Sequence, residues 1–372
     1  MKYDFTSIMN RHGKDAIAVD VVPQPDAAGN FVMKPLADVQ IKDGLDTIPM
    51  WVADMNFPTC PTIPQAIIER AQHPAFGYFQ PTEEYFDSII QWHETRNGVT
   101  GLKREHIGYE NGVLGGVSSA VQAFSAPGEG ILVHSPTYVG FTCTVGNLGR
   151  RLVHSPLRRD EKGIWRMDYA DMERRLKEEK IHLAILCSPH NPSGRVWERW
   201  ELEKALALFA KYDCYVISDE IWSDIIMPGH RHIPTQSVSE DARRRTIAMY
   251  APSKTFSLAG LVGSYHIIYD RYLRERLGAQ ASQSHYNSCN VLSMHALIGA
   301  YSPEGEAWAE EMCRVVDENH RYACAFIGEN FPGVRVMRPE GTYILFLDCA
   351  QWLEAHGLTL RELAVRMQEL GM

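Results

Sequence analysis

Short segments that are almost wholly apolar alternate with longer amphipathic segments through the middle of this 372-residue sequence. A segment that is apolar throughout, rather than at every second position, predicts a strand covered on both faces, as in a parallel sheet between helices. The alternation therefore predicts an α/β architecture with right-handed crossovers. The predicted strands occupy residues 131–135, 182–188, 214–218, 246–251 and 264–268.

Amphipathic stretches around these strands predict helices. One covers residues 82–98 and ends in Asn97-Gly98, a pair that typically stops a helix. Two others cover residues 139–149 and 198–212, each after a predicted strand.

The last third of the chain has a different pattern. Residues 304–331 predict one long amphipathic helix, residues 335–340 and 342–348 predict strands, and residues 358–372 predict a further helix. This mixture is typical of a smaller α+β domain.

The length fits two domains, because a domain commonly holds ~100–200 residues. We expect a large domain over residues 46–280, which contains the predicted strands. A small domain is expected to combine residues 1–45 and 281–372.

The charge balance argues against a nucleic-acid-binding protein. The chain has 37 Lys and Arg against 46 Asp and Glu, a formal net charge of −9, whereas nucleic acid is bound by basic faces. No apolar stretch approaches the ~18 residues of a membrane span. The charged N-terminal segment lacks the apolar core of a secretory signal, so we expect a cytoplasmic protein that binds neither nucleic acid nor membrane.

Cysteine and histidine spacing indicates neither disulfides nor a metal site. The eight cysteines are scattered without a C-x-x-C pair, which favours free thiols in a reducing compartment. No H-E-x-x-H motif occurs, and residues 230–232 are too short a His-rich segment to define a site, so we expect no bound metal.

Residues 107–116 are glycine-rich at a predicted junction between strand and helix. Glycines there let the backbone approach an anion, and the free N–H groups and helix dipole favour phosphate. The segment matches neither G-x-x-x-x-G-K-[ST] nor a clean G-x-G-x-x-G, so nucleoside triphosphates and dinucleotides are not indicated. Tight packing of a helix on the sheet explains these glycines equally well.

Two polar turns follow predicted strands, at the edge where open α/β sheets bind ligands. Tyr138 follows the strand at 131–135, and its flat ring could stack on another flat ring. Asn191-Pro192 follows the strand at 182–188, and the Asn amide offers both a donor and an acceptor. Each motif alone is also explained by an ordinary core tyrosine or turn.

An acidic residue and a lysine end two successive predicted strands. Asp219 follows the strand at 214–218, where a buried carboxylate is costly without a partner such as a protonated ring nitrogen, an arginine or a helix cap. Lys254 follows the strand at 246–251, where burial could lower its pKa and make it a nucleophile, although most such lysines are simply solvated. Their positions on successive strands allow both to converge on one site.

Taken together and in order, these motifs resemble the fold-type I pyridoxal-phosphate enzymes of the class I/II aminotransferase superfamily, over nearly the whole chain. Within it, residues 4–20, 49–59, 76–79 and 340–348 are similar to the cystathionine β-lyase-like MalY/PatB group. The resemblance implies a large domain with a mostly parallel seven-stranded sheet between helices, and a smaller α+β domain.

The same resemblance implies pyridoxal 5′-phosphate as the cofactor and assigns roles around its ring. Lys254 would bind the cofactor covalently and, once displaced by substrate, shuttle the Cα proton. Asp219 would pair with the ring nitrogen and keep it protonated, so that the ring acts as an electron sink. Tyr138 would stack on the ring, and Asn191 would hydrogen-bond its hydroxyl oxygen.

The resemblance also assigns phosphate ligands and a subunit arrangement. The N–H groups of Val113 and Leu114 and the hydroxyl of Ser253 would bind the phosphate. Tyr78 would reach it from the neighbouring subunit, so that a homodimer shares its active sites. Ala53 aligns with a backbone contact to the substrate carboxylate.

The sequence departs from the family pattern at three places. Val262 stands where many aminotransferases have a phosphate-binding arginine, and Trp222 stands where they commonly have a tyrosine bonded to the ring hydroxyl. The family continues beyond the helix at 358–372 into a strand that carries a carboxylate-binding arginine. We therefore expect the C-terminal part of the small domain to be incomplete in this chain.

The resemblance implies a carbon–sulfur β-lyase that acts on cystathionine or a related cysteine S-conjugate and releases pyruvate, ammonia and a thiol. An aminotransferase would use the same residues. A non-catalytic regulatory homologue is the third interpretation, favoured by the missing arginine.

Overall fold

The computed structural model describes residues 2–25, 31–39, 42–45, 47–284 and 287–370. The chain divides into two compact units. The larger consists of Thr59–His320 and Met337–Phe346, and the smaller consists of Met1–Pro58, Arg321–Val336 and Leu347–Met372.

The elements alternate between strand and helix along the larger unit. In chain order the strands are β1 (Val21–Pro25), β2 (Phe31–Pro35), β3 (Ile107–Asn111), β4 (Gly130–Ser135), β5 (Arg151–Pro156), β6 (Arg158–Arg159), β7 (Trp165–Arg166), β8 (Leu183–Cys187), β9 (Tyr215–Asp219), β10 (Thr246–Tyr250), β11 (Gly263–Ile267), β12 (Arg335–Val336) and β13 (Leu347–Asp348). The helices are α1 (Ile17–Asp20), α2 (Thr62–Ala71), α3 (Glu83–Asn97), α4 (Val113–Phe124), α5 (Val139–Asn147), α6 (Tyr169–Glu178), α7 (Arg199–Lys211), α8 (Glu240–Arg245), α9 (Arg271–Ser282), α10 (Val291–Ala300), α11 (Pro303–Asn330), α12 (Ala350–His356) and α13 (Leu360–Glu369).

A seven-stranded sheet in the order β3-β11-β10-β9-β8-β4-β5 forms the centre of the larger unit. Strands β10, β9, β8, β4 and β5 pair in parallel, whereas β11 is antiparallel to both β10 and β3. The predicted mostly parallel sheet is therefore confirmed. Strand β11 is almost fully buried, as the parallel strands are. Its apolar sequence indicates cover on both faces of the sheet and does not reveal the direction of the strand.

Both faces of this sheet are packed. Alternate residues of each strand point to opposite faces. Ile185 and Ile217 pack on the face covered by α4, α5 and α9. Ala184 and Val216 pack on the face covered by α6, α7 and α8. Each fully buried aliphatic side chain contributes about 1.5–3 kcal/mol, so packing on both faces stabilises the sheet.

The predicted helix at 82–98 is confirmed, with its ends set by capping. The Thr82 hydroxyl accepts a hydrogen bond from the Tyr85 N–H at 3.3 Å. Gly98 has the left-handed φ of 64° that stops the helix at Asn97.

None of the helices in the described parts of the chain is long and apolar enough to cross a bilayer.

The smaller unit contains two antiparallel pairs, β1 with β2 and β12 with β13. The predicted strands at 335–340 and 342–348 are wrong over most of their length, because only their outer ends pair. The segment between those ends belongs to the larger unit, where the Glu340 and Gly341 N–H groups donate to the Gly194 carbonyl at 2.9 and 3.0 Å.

The two compact units differ from the domain division expected at residues 46 and 280. Helix α10 lies in the larger unit and packs on α2, where the Thr62 hydroxyl donates to the Gly299 carbonyl at 2.7 Å. The division between units falls at Pro58 and within α11. The domain bounds expected from the sequence remain a prediction.

A buried ion pair holds the segment 337–346 on the larger unit. Arg195 is 1% exposed and contacts the carboxylates of Glu201 and Glu340. A guanidinium removed from water needs such partners, because an unpaired buried charge is strongly destabilising.

We expect Glu340→Gln to lower the free energy of unfolding by about 2 kcal/mol, because a buried arginine loses a charged acceptor. Urea unfolding followed by fluorescence measures this. Glu203→Gln removes an exposed carboxylate 3.8 Å from Arg199 and is expected to change stability by less than about 0.5 kcal/mol. Equal effects of the two variants would contradict the assignment.

Candidate active site

The candidate residues collect at one edge of the sheet. Asp219 is the last residue of β9, Tyr138 precedes α5 just after β4, and Asn191 lies in the turn after β8. Ser253 and Lys254 lie in the turn after β10. Because these strands are parallel, their carboxyl ends meet at the edge where open α/β sheets bind ligands.

Contacts between neighbouring strands bring several of these residues together. The Ser188 N–H donates to the Asp219 carbonyl at 2.9 Å, which aligns the ends of β8 and β9. The Asn191 N–H lies 3.4 Å from the Sγ of Cys187, which faces Asp219 in the register of those strands. The main chain of Asn191 is thus held beside the ends of β8 and β9.

Tyr138 is half-buried close to Leu114, at the start of α4. A Cβ atom added at Gly140 would lie 2.3 Å from the Tyr138 ring and 2.9 Å from Leu114 Cδ1, so only glycine leaves room for both side chains. Burial raises the pKa of the Tyr138 phenol, and the nearby Asp219 carboxylate raises it further. The phenol is therefore neutral at physiological pH.

The start of α4 forms an anion-binding cradle. Gly112 has a φ of 74°, which turns the chain from β3 into the helix, and no side chain of the described residues caps the first turn. The N–H groups of Val113 and Leu114 therefore remain available to a phosphate. Gly116 is needed for tight packing of this helix on the sheet, because an added Cβ would lie 2.7 Å from Met249 Sδ. The glycines serve both the turn and close packing.

Val262 borders this cradle in a left-handed conformation. Its φ is 53°, uncommon for a β-branched residue, and its Cγ1 would lie 3.9 Å from a Cβ added at Gly112. Its carbonyl accepts a hydrogen bond from the Tyr109 hydroxyl at 3.0 Å. An aliphatic side chain thus stands beside the phosphate cradle.

Asp219 is a buried carboxylate whose charge is only partly compensated. Burial raises the pKa of Asp219 to about 7, while a hydrogen bond from the Ile221 N–H and the nearby Lys254 ammonium lower it. The neighbouring Glu220 carboxylate adds to the upward shift. A protonated ring nitrogen held against Asp219 would supply the missing positive charge.

The Lys254 amine contacts an aromatic ring. Its Nζ is 5.6 Å from the centre of the Trp222 ring, within the range of a cation–π contact. Trp222 is fully buried and meets Tyr343 edge-on, with ring centres 4.8 Å apart. Trp222 therefore contacts the Lys254 amine, and Tyr343 contacts Trp222. No sequence motif predicts a role for Tyr343.

Tyr78 lies apart from this group. Its side chain is fully exposed, on the irregular segment between α2 and α3. Phe76 of the same segment is 55% exposed. These residues line an open cavity with Tyr109 and Asn287 of the same unit.

These residues fit pyridoxal 5′-phosphate by their chemistry. An uncapped helix start suits a phosphate, a buried carboxylate suits a protonated ring nitrogen, a tyrosine ring can stack, and a half-buried lysine amine can bind a carbonyl carbon. Within the described ranges, no group of three or more His, Cys, Asp and Glu side chains is arranged to hold a metal ion.

Comparison with known proteins gives consistent matches. A family model described as aminotransferase class I and II matches residues 46–368. Cystathionine beta-lyase PatB of Bacillus subtilis is 37% identical over 326 residues, which cover 88% of this chain and 82% of PatB.

Solved structures agree with these sequence matches. Cystalysin from Treponema denticola, which contains a pyridoxal 5′-phosphate cofactor, matches with a TM-score of 0.85 and 29% identity, over 96% of this chain and 86% of cystalysin. The C–S lyase from Staphylococcus hominis, with pyridoxal phosphate bound, matches with a TM-score of 0.83 and 29% identity, over 95% of this chain and 85% of that enzyme.

We expect Asp219→Asn to stabilise the cofactor-free protein at pH 8. A carboxyl whose folded pKa is raised from 3.8 to about 7 loses folding free energy as the pH rises through that window. The stabilisation should therefore shrink as the pH falls to 4, where the native carboxyl is protonated. Urea midpoints at pH 8 and pH 4 measure it.

Asp241→Asn is the matched control for that experiment. The hydrogen bond from Arg245 lowers the pKa of Asp241, so this carboxylate stabilises the fold above its unfolded pKa. The variant should be less stable than the parent at pH 8. A loss of stability at Asp219→Asn as well would refute the picture of a poorly compensated carboxylate.

Proposed function

Since the chain belongs to the class I and II aminotransferase family, we propose that it is a pyridoxal-phosphate-dependent carbon–sulfur β-lyase. Its substrate is cystathionine or a related cysteine S-conjugate, and its products are pyruvate, ammonia and a thiol. The observation that carries the proposal is the meeting of Asp219 and Lys254 at the carboxyl ends of β9 and β10. Relatives named as cystathionine beta-lyase and C–S lyase support this reaction over others in the family.

Several residues of this chain would bind different parts of the cofactor. The N–H groups of Val113 and Leu114 and the Ser253 hydroxyl would bind the phosphate. Tyr138 would stack on the ring. The Asn191 amide would donate to the ring hydroxyl oxygen.

Lys254 and Asp219 would carry the chemistry at the reacting bonds. When bound, the cofactor supplies a protonated ring that accepts the electron pair left at the substrate Cα. Asp219 holds the proton on the ring nitrogen. The Lys254 amine would take the Cα proton, and the Cβ–S bond would break with its electron pair on sulfur. The thiolate would take up a proton from water and leave as a thiol, and the Lys254 ammonium would return its proton to the solvent. Water then converts the remaining three-carbon enamine to pyruvate and ammonia.

We propose that the enzyme works as a homodimer in the cytoplasm. Tyr78 and Phe76 are exposed aromatic side chains on one segment of a single chain, which suits burial against a second copy. Tyr78 would reach the phosphate of the partner's site. The cysteines of the described residues are free thiols, as a reducing compartment requires.

The proposal is tested by adding L-cystathionine to the cofactor-loaded protein. We expect a visible absorption band from the bound cofactor, and pyruvate and thiol released in equal amounts, measured with lactate dehydrogenase and a thiol reagent. Transfer of the amino group to a keto acid without thiol release would identify an aminotransferase. A visible band with neither product would identify a non-catalytic homologue.

We expect Lys254→Ala to lower the rate of pyruvate formation by about 10³-fold or more, because the covalent anchor and the Cα base are lost together. After borohydride reduction, mass spectrometry should find the cofactor on Lys254 in the parent enzyme and on no residue of the variant. Lys211→Ala removes an exposed lysine paired with Glu173 and should retain the parent rate. Cofactor retained covalently in Lys254→Ala would rule Lys254 out.

A further inference from the structure

Behind the candidate site, the sheet buries a second carboxylate. Glu220 follows Asp219 directly and is fully buried. It accepts hydrogen bonds from His232 Nε2 and the Tyr250 hydroxyl, both at 2.7 Å. The Ser218 hydroxyl donates to it at 2.9 Å, and the Thr235 N–H at 3.1 Å.

These four donors make Glu220 a stable buried anion. Burial alone would raise the pKa of Glu220, but the hydrogen bonds and charge of His232 and the hydrogen bonds of Tyr250 and Thr235 lower it below its ordinary value. A buried carboxylate with a full set of donors is held in one position, because moving it would leave several polar groups unpaired.

The position of Glu220 ties it to both candidate catalytic residues. Consecutive strand residues point to opposite faces, so Ser218 and Asp219 lie on opposite sides of the sheet, and the Glu220 carboxylate is on the side of the Ser218 hydroxyl that donates to it. The Glu220 N–H donates to the Met249 carbonyl at 2.9 Å, and Met249 pairs with Asp219 in the parallel register. Tyr250, which donates to Glu220, ends β10 shortly before Lys254.

The hydrogen bond between Tyr250 and Glu220 therefore crosslinks the ends of two strands. One strand ends at Asp219 and the other leads into Lys254. The main-chain ladder extends as far as the bond from the Glu220 N–H to the Met249 carbonyl, but main-chain bonds alone do not fix the side chains at the start of a turn. The hydrogen bond between the Tyr250 and Glu220 side chains restrains the two strand ends next to Asp219 and Lys254.

We propose that Glu220 is a positioning residue that fixes the separation of Asp219 and Lys254 by tying the ends of β9 and β10 behind the sheet, with Tyr250 as its partner. This inference rests on the proposed roles of Asp219 and Lys254. Neither Glu220 nor Tyr250 touches the reacting atoms. Their effect is on how well the amine and the carboxylate are aligned with one cofactor.

Tyr265 offers a matched control within the same core. It is buried like Tyr250, lies on β11, and stacks on Tyr250 with ring centres 5.7 Å apart. Its hydroxyl hydrogen-bonds with His93 Nε2 and the Tyr301 hydroxyl, each at 3.0 Å, and not with Glu220. Tyr265→Phe therefore removes a buried hydroxyl from the same face while leaving the crosslink.

The experiment compares Tyr250→Phe, Glu220→Gln and Tyr265→Phe with the parent protein. For each, the melting temperature of the cofactor-free protein, the cofactor dissociation constant from absorbance titration, and kcat and KM for L-cystathionine are measured. We expect Tyr250→Phe and Glu220→Gln to bind the cofactor about tenfold more weakly and to lose about tenfold in kcat with KM nearly unchanged. Tyr265→Phe should melt at a temperature similar to that of Tyr250→Phe but keep both constants within twofold of the parent.

Each outcome decides the question. If Tyr250→Phe and Tyr265→Phe change the two constants equally, or only the melting temperature changes, Glu220 has no positioning role. Tyr250→Phe keeps the Glu220 charge and decides the matter even if Glu220→Gln does not fold. A parent protein that binds no cofactor would overturn the proposed function and this inference together, whereas a working parent with control-like variants would overturn this inference alone.

Discussion

The buried carboxylate at the end of β9 is the constraint on which the site depends. Taking Asp219 out of water costs free energy, and the Ile221 N–H and the Lys254 charge offset only part of it, so its pKa stays near 7. A cation held in the same dry surroundings would offset the rest. A cofactor with a protonated ring nitrogen held against Asp219 would supply that cation, which would link cofactor binding to the stability of the fold.

The sheet explains why two adjacent acidic residues do different work. Strand β9 ends at Asp219, and the Glu220 carboxylate, which accepts from the Ser218 hydroxyl, lies on the opposite side of the sheet. The Asp219 carboxylate accepts a hydrogen bond from the Ile221 N–H, whereas the Glu220 carboxylate has donors from four residues. The same strand thus supplies both a poorly compensated charge and a firmly held one.

Much of the architecture followed from local pattern, because burial on two faces leaves an unmistakable apolar run and capping residues mark helix ends. The segment 337–346 escaped prediction, since its place depends on Arg195, which is distant in sequence. Motif order located Asp219 and Lys254, whose strand positions a local pattern reveals. The Tyr250–Glu220 crosslink could not be predicted in that way, because it needs the pairing of β9 with β10.

The hydrogen bonds from Glu340 and Gly341 to the Gly194 carbonyl join parts of the chain that are made at different times. During synthesis, β3 to β11 leave the ribosome well before residues 337–346 do. Until then Arg195 has Glu201 beside it but lacks Glu340, and the strand end that leads to Asn191 lacks its cover. The sheet can form early, but the turn beside the site acquires its final neighbours only late in translation.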